Sequence, residues 1–546
     1  MTTNLHVPAL DLAIIAIYMA AILLVGIVSA RRTAITGQVF FLAGRSLSWG
    51  VVGAALFASN ISTIHLVGLT ASGYNEGLVW GNFEWMASFS LILLSLVFAP
   101  FYFRSRIATL PEFLERRYSP ASRSILAIMA IMAALFIHIG MSLYAGAVVF
   151  QQFFGIRVDL SILIVSAIVS IYTIFGGLKA VVVTETFNTA ILLIGVCIVT
   201  VFAILALPAH GIHSLAAFRA AVKPDQLHVI RSNSTVGLNW YAIFLGYPIL
   251  GVWYWCTDQT IVQRVLGAKT ERDAQLGPLF AGFLKILPMF LLILPGVIAY
   301  VLFHDQIGAA SNQTLPVLIN MLIPTGLRGL IAAAVLAALM SAVSAALNSS
   351  GTLVAVDIVK RLRPATTDSQ MVAIGRASSA IVMLLAILWS TQGGRFSSIF
   401  AAINVIAADL APPITTVFLF GVFWRRGTKE ASAITLVGGL CMGVLCFLFD
   451  LPVIGHTRLI SDGWGISFLM QAWWMFCICS VIFVASSLCT PAPPLSSVEG
   501  LTWTNPLASF REMRGEMRGK IRGLTSPPVI ASFLLATMIV LYIVFR

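Results

Sequence analysis

The chain has 546 residues, 59% of them hydrophobic and only 10% charged, with a mean hydropathy of +0.96 and a formal net charge of +12. Soluble proteins carry about 25% charged residues, and no aqueous fold hides this much apolar sequence, so a soluble enzyme, a nucleic-acid binder and a disordered chain are excluded. A spanning helix takes about 20 apolar residues, and the length therefore suits one membrane bundle of more than a dozen spans.

In chain order, apolar runs between polar breaks predict fourteen helices, at 10–30, 47–70, 78–101, 122–150, 158–176, 181–207, 239–257, 275–303, 328–356, 372–391, 397–424, 431–450, 465–488 and 528–545. Helices satisfy their own backbone in lipid, and the alternating segments of a barrel are not seen. The first run has its basic pair, Arg31 and Arg32, after it rather than before it, which reads as an uncleaved anchor and not a signal peptide. Placing that pair in the cytoplasm puts 24 of the 33 Lys and Arg on cytoplasmic loops and eight on outer loops or the C-terminus, with Lys285 left inside a span. The pattern never inverts along the chain, so both termini are expected outside a plasma membrane crossed many times. The seven cysteines lie in spans or at their cytoplasmic ends, where disulfides are not expected. The basic stretch 510–523, FREMRGEMRGKIRG, reads equally as a segment lying on anionic lipid and as a solvated connector. No phosphate-binding loop points to ATP-driven transport.

Ionisable groups within the bilayer are costly and are functional candidates by default. His65, Glu84, Glu185 and Lys285 stand out, joined by the amides Asn60, Asn188, Asn348 and Asn404. Each has a structural reading as interhelical hydrogen bonding. Lys285, in GFLKILPMF, needs a partner or a watery cavity, and Glu84, in GNFEWMASF, is its candidate partner. The span 47–70 gathers Ala58, Ser59, Asn60, Ser62 and Thr63 between glycines, a composition that favours a broken helix whose free carbonyls coordinate a cation. The span 239–257 is punctuated by Gly246, Pro248 and Gly251 and then carries Trp253, Tyr254 and Trp255. Such aromatics stack on sugars, but they also populate membrane belts and cores. The Ala/Ser-rich span 328–356 offers the hydroxyls of Ser341 and Ser344 to a small cation, or simply packs closely. The two punctuated spans are five apart, the spacing of a five-plus-five inverted repeat.

The runs FFLAGRSLSWGVVGAALFASNIS, TLPEFLERRY, YTIFGGLKAVVVTETFNT, WYWCTDQTIVQRVLGAK, GFLKILPMFLLILPGVI and NSSGTLVAVDIVKRLRP, in this order from about residue 40 to 430, resemble the sodium:solute symporter family and most of all its sodium/glucose cotransporter branch. The resemblance implies an all-α integral membrane fold of about 14 helices with a five-plus-five inverted-repeat, LeuT-like core. It divides the chain into an extra N-terminal helix (1–46), a first repeat (47–207), an outer loop (208–238), a second repeat (239–430) and C-terminal helices with a basic cytoplasmic loop at 489–527 (431–546). It implies a substrate pocket of Asn60, His65, Glu84, Lys285, Tyr254, Trp255 and Asn404. The implied sodium site has the carbonyls of Ala58, Ile61 and Ala338 and the hydroxyl of Ser341, with Ser344 one turn on and Glu185 near the ion's exit route. Ala342 stands where the family has a second sodium hydroxyl, Asn404 replaces a glutamine, Gly251 a polar residue and Glu185 an aspartate.

The resulting expectation is a non-enzymatic symporter that imports a sugar or polyol with sodium by alternating access, needing no nucleic acid and no obligate protein partner. The alternatives are a symporter of another small solute such as a carboxylate, a proton-coupled symporter, and an uncoupled facilitator or transporter-like sensor.

Overall fold

A computed structural model of the chain describes residues 8–31, 36–232, 237–392, 399–450, 458–503 and 526–546; most of the predicted basic loop, including 510–523, lies outside them. Every regular element among the described residues is helical. The principal helices are α1 (Ala9–Arg31), α2 (Trp49–Asn60), α3 (Thr63–Asn75), α4 (Gly81–Leu93), α5 (Pro120–Ala133), α6 (Val158–Ala206), α7 (Trp240–Gly251) and α8 (Gln259–Leu266). They continue with α9 (Glu271–Leu284), α10 (Leu327–Thr352), α11 (Asp368–Ser390), α12 (Ile399–Phe423), α13 (Lys429–Phe449), α14 (Phe468–Cys489) and α15 (Pro527–Val544).

Among the described residues eleven helices are long and apolar enough to cross a membrane, and the pair α2 and α3, bent by 64° at its junction, makes a twelfth. The fourteen predicted spans differ from this number at two places. The runs 158–176 and 181–207 are counted together as α6, two helices that meet at a kink; its 49 residues would extend about 74 Å at 1.5 Å per residue if straight, more than twice a bilayer core. Within it Gly177 takes φ +60° and ψ −165°, a conformation essentially reserved for glycine. A Cβ there would also lie 2.7 Å from the Phe40 carbonyl oxygen. The run 239–257 is helical, as α7 and a wide turn at Val252–Thr257. It is not among the helices counted above.

The break between α2 and α3 has a local cause. The last helical bond of α2 runs from Ile61 N to the Phe57 carbonyl at 3.1 Å. The next amide, Ser62 N, donates instead to Nδ1 of His65 at 3.2 Å. The His65 ring thus takes an amide from the helical ladder; Ser and Asn residues in this stretch add side-chain alternatives to helical bonding, and Ser59 Oγ donates to the Ala55 carbonyl at 2.6 Å.

Small residues allow the close packing that positions these pieces. A Cβ on Gly53 would meet the Gly277 carbonyl at 2.6 Å, and one on Gly195 would meet the Ala334 methyl at 2.5 Å. The Ala/Ser-rich α10 is the central helix, with 94% of its apolar stretch buried.

Two rims close the bundle. At one, Arg117 donates to the carbonyls of Gly421, Trp424 and Gly427 at 2.9, 2.8 and 3.1 Å. Arg104 pairs with Glu271 at 2.9 Å and Arg123 with Asp357 at 2.7 Å. At the other, Asp11 Oδ1 accepts from Gly326 N and Gly329 N at 2.8 and 2.7 Å, and Val229 N donates to the Phe545 carbonyl at 2.9 Å. Loops that the charge count assigns to one side are thereby joined to one another.

Candidate functional site

The break between α2 and α3 opens on a cavity of about 140 Å³. Its walls include Ser59, Asn60, Ser62 and His65 from the broken span, Glu84 from α4, Tyr247, Gly251, Trp253, Tyr254 and Trp255 from α7 and its turn, Lys285 after α9, and Asn404 from α12.

Lys285 is the centre of the polar wall and is 1% exposed. Its Nζ donates to Glu84 Oε2 and, at 2.6 Å, to Asn60 Oδ1. Asn60 Nδ2 in turn donates to the Tyr254 hydroxyl at 3.1 Å. The ammonium also stands 5.6 Å from the centre of the Trp255 ring, within cation–π range. A lysine without these partners would leave an uncompensated charge in an apolar setting. The seven residues expected in the pocket are therefore all on its wall, and four of them form one chain of hydrogen bonds, Glu84–Lys285–Asn60–Tyr254.

The residues expected around sodium, Ala58, Ile61, Ala338, Ser341 and Ser344, are not among those that line this cavity. Ala58 and Ile61 end α2, where carbonyls have passed the last helical donor. On α10, Ser341 Oγ accepts from Asn188 Nδ2 at 2.8 Å, and Asn188 Oδ1 accepts from the Tyr18 hydroxyl at 2.9 Å. Ser344 Oγ donates to the Ser341 carbonyl at 3.1 Å. Ala338 is buried on the same helix, three residues before Ser341, whereas Ala342 is part of the cavity wall.

Glu185 is fully buried in a contact that sequence reading does not anticipate. Arg264 of α8, also fully buried, donates to it through Nη2 at 2.6 Å and Nε at 3.3 Å. Ser59 Oγ, on the cavity wall, lies 3.1 Å from the same carboxylate. A second pair missed by the sequence is His138, which lines the cavity, with Nε2 2.9 Å from Asp258 Oδ2. Asp258 also caps α8 through Thr260 N at 2.7 Å. His138 carries a readable signal, an ionisable group in the apolar run LFIHIGM. Asp258 and Arg264 do not, because they follow a helix end and look like loop residues.

The pattern of the sodium:solute symporter family matches residues 40–439. The chain belongs to the sodium:solute symporter family. Among members similar to it, the sodium/mannose cotransporter of Bos taurus is 36% identical over 92% of this chain and 91% of its own. The sodium/myo-inositol cotransporter 2 of Sus scrofa is 34% identical over 90% of this chain and 78% of its own. The sodium/glucose cotransporter 4 of Danio rerio is 32% identical over 91% of this chain and 81% of its own. The solved structure of a Na+-coupled sialic acid symporter superposes with a TM-score of 0.75 at 20% identity, covering 89% of this chain and all of that one. This likeness establishes a shared fold, and a nucleobase-cation-symport-1 transporter shares it more distantly, at a TM-score of 0.53 and 14% identity. The family expected from the six sequence runs is thus the family to which this multi-pass membrane protein belongs.

Proposed function

We propose that the chain is a secondary active symporter that imports a sugar or polyol together with sodium by alternating access, and that it is not an enzyme. The observation that carries this reading is the hydrogen-bonded chain Glu84–Lys285–Asn60–Tyr254 on a cavity wall at a broken span. It presents a carboxylate, an ammonium, an amide and a phenol to one small space. That set both donates to and accepts from hydroxyls, while the Tyr254 and Trp255 rings meet apolar C–H faces. A carboxylate substrate is disfavoured because Glu84 already occupies Lys285. The names of the sodium/mannose, myo-inositol and glucose relatives support the same substrate class.

Substrate contacts are assigned to Asn60, His65, Glu84, Tyr254, Trp255, Lys285 and Asn404. Sodium is assigned to the carbonyls of Ala58, Ile61 and Ala338 and the hydroxyls of Ser341 and Ser344, with Glu185 on its exit route. The Asn188 donation supports this assignment: it orients Ser341 Oγ and still leaves the hydroxyl a lone pair. Sodium binding at the junction of α2 and α10 favours the outward-open arrangement, and the effects of ion and substrate on each other's affinity are reciprocal. The Arg264–Glu185–Ser59 contact supports a link between this junction and the cavity wall.

The architecture in this reading has fourteen crossings, with α6 crossing twice about Gly177 and α7 with its turn crossing once. The segments 47–207 and 239–430 are the two inverted repeats, 1–46 and 431–546 are additions, and 208–238 is an outer loop. Both termini face outside. The contacts of Asp11 with Gly326 and Gly329 and of Val229 with Phe545 support placing these segments on a shared side, as this layout does.

The test is uptake of labelled mannose, myo-inositol and glucose into proteoliposomes, with and without an inward sodium gradient. The expected result is accumulation of at least one of them only with sodium. Accumulation that follows a proton gradient and ignores sodium would replace the coupling ion. Equilibration without accumulation would make the protein a facilitator, the second reading that Ala342 favours by withholding one oxygen from the ion.

A further inference from the structure

A second buried carboxylate lies on α12 away from the cavity lining. Asp409 is 6% exposed, and among the described residues no Lys, Arg or His pairs with it. It is held between α13, whose Gly443 leaves room for the Asp409 backbone, and α14, whose Gln471 donates from Nε2 to Asp409 Oδ1 at 2.6 Å. The other oxygen of each side chain, Asp409 Oδ2 and Gln471 Oε1, is buried and has no hydrogen-bond partner. Gln471 is itself 5% exposed. Two neighbouring acceptors are therefore left without a donor, whereas buried polar atoms are ordinarily paired.

The titratable groups that face Asp409 are Asp450, beyond the end of α13, and Cys446 on α13. Both oxygens of Asp450 are already bonded: Oδ1 accepts from Ile460 N and Ser461 N at 2.8 and 3.0 Å, and Oδ2 from the Ser461 hydroxyl. It offers Asp409 no compensating cation. An ionised Asp409 would thus stand buried, with one amide bond, beside a second carboxylate, and an isolated buried carboxylate is more cheaply neutralised than kept charged. A metal cation needs several uncommitted oxygens, and here there are two. A proton needs one oxygen to sit on and one to be donated to.

We propose that Asp409 and Gln471 form a proton-binding site separate from the transport cavity. The proton resides on Asp409 Oδ2 and is donated to Gln471 Oε1, closing an acid–amide ring with the existing Nε2–Oδ1 bond. The site neutralises the outer packing face of α12, the helix whose Asn404 and Ala407 line the cavity.

Infrared spectroscopy of the reconstituted full-length protein at pH 7 tests this, with the carbonyl stretch of a protonated carboxylic acid as readout. The band is expected in the wild type, to be lost in Asp409→Asn, to shift in Gln471→Leu and to persist when sodium replaces choline in the buffer. Asp409→Asn, whose side chain is neutral like the acid, is expected to keep uptake. No difference between wild type and Asp409→Asn would show an ionised Asp409 and overturn the proposal. A band erased by sodium would overturn it in favour of a metal-cation site, and an unshifted band in Gln471→Leu would remove the shared proton.

Discussion

At the scale of single residues the decisive feature is that Lys285 and Glu84 have each other. Removing one partner of a buried pair strands the other charge, at a cost of about 3–5 kcal/mol, while replacing both by neutral groups is far milder. Lys285→Met and Glu84→Gln are therefore expected to lower the melting temperature of the purified protein strongly as single variants. The double variant is expected to recover most of that loss, with uptake abolished in all three. Thermal melting followed by intrinsic fluorescence, alongside proteoliposome uptake, separates the two effects; recovery of uptake in the double variant would make the pair purely structural. Ala342 argues in the opposite direction, since a residue is absent rather than present. It shares the cavity wall with Ser59, Asn60 and Ser62, so a hydroxyl at 342 would face the break where the α2 carbonyls end. Ala342→Ser is expected to lower the half-saturating sodium concentration about five-fold, the equivalent of one net hydrogen-bond-sized contact of about 1 kcal/mol. A sodium titration of uptake reads this directly, and an unchanged curve would place the ion elsewhere.

At the scale of elements the chain works through breaks. The α2–α3 junction was legible from Ser59, Asn60, Ser62 and Thr63, because those side chains compete with helical bonding whatever surrounds them. The turn at Gly177 was legible only as the gap between two apolar runs. That the chain kinks there rather than forming a loop is a tertiary outcome, in a place where the Phe40 carbonyl leaves no room for a side chain. Gly177→Ala forces a side chain into an essentially glycine-only conformation and against that carbonyl. It is expected to cost about 1–3 kcal/mol, read as a lower melting temperature, with the substrate's apparent affinity unchanged in whatever fraction folds. The pocket was legible where an ionisable or aromatic side chain interrupts an apolar run, as for Glu84, Lys285 and Tyr254. The same signal is present at His138 and at Asp409, in AADLAPP, and weighing every such interruption equally would have found both. Arg264 and Asp258 carry no such mark. They sit just past a helix end, and only the folding of α8 back beneath the cavity buries Arg264 against Glu185.

For the whole molecule the question is where charge resides and which charges move. Arg104, Arg117 and Arg123, which the charge count assigns to the cytoplasmic side, are held by loop carbonyls and carboxylates; the proposed orientation rests on such charges staying in place. A cysteine substituted at Arg546 is accordingly expected to react with a membrane-impermeant maleimide added outside intact cells, and one at Lys269 only after permeabilisation. In the buried interior the charges largely cancel, Lys285 against Glu84 and Arg264 against Glu185. If the substrate is a neutral sugar or polyol, the loaded carrier therefore differs from the empty one by the charge of the sodium it carries. Each such charge gains about 2.3 kcal/mol per 100 mV, which corresponds to roughly a 50-fold change in an equilibrium ratio. An inside-negative potential of that size, imposed on proteoliposomes with a potassium gradient and valinomycin, is expected to raise the limiting accumulation of substrate by up to that factor per sodium at fixed sodium concentrations. Collapsing the potential should return accumulation to the level set by the sodium gradient alone. Accumulation indifferent to voltage would mean that no net charge crosses with the substrate, and the coupled-sodium mechanism would fail even if sodium still stimulated binding.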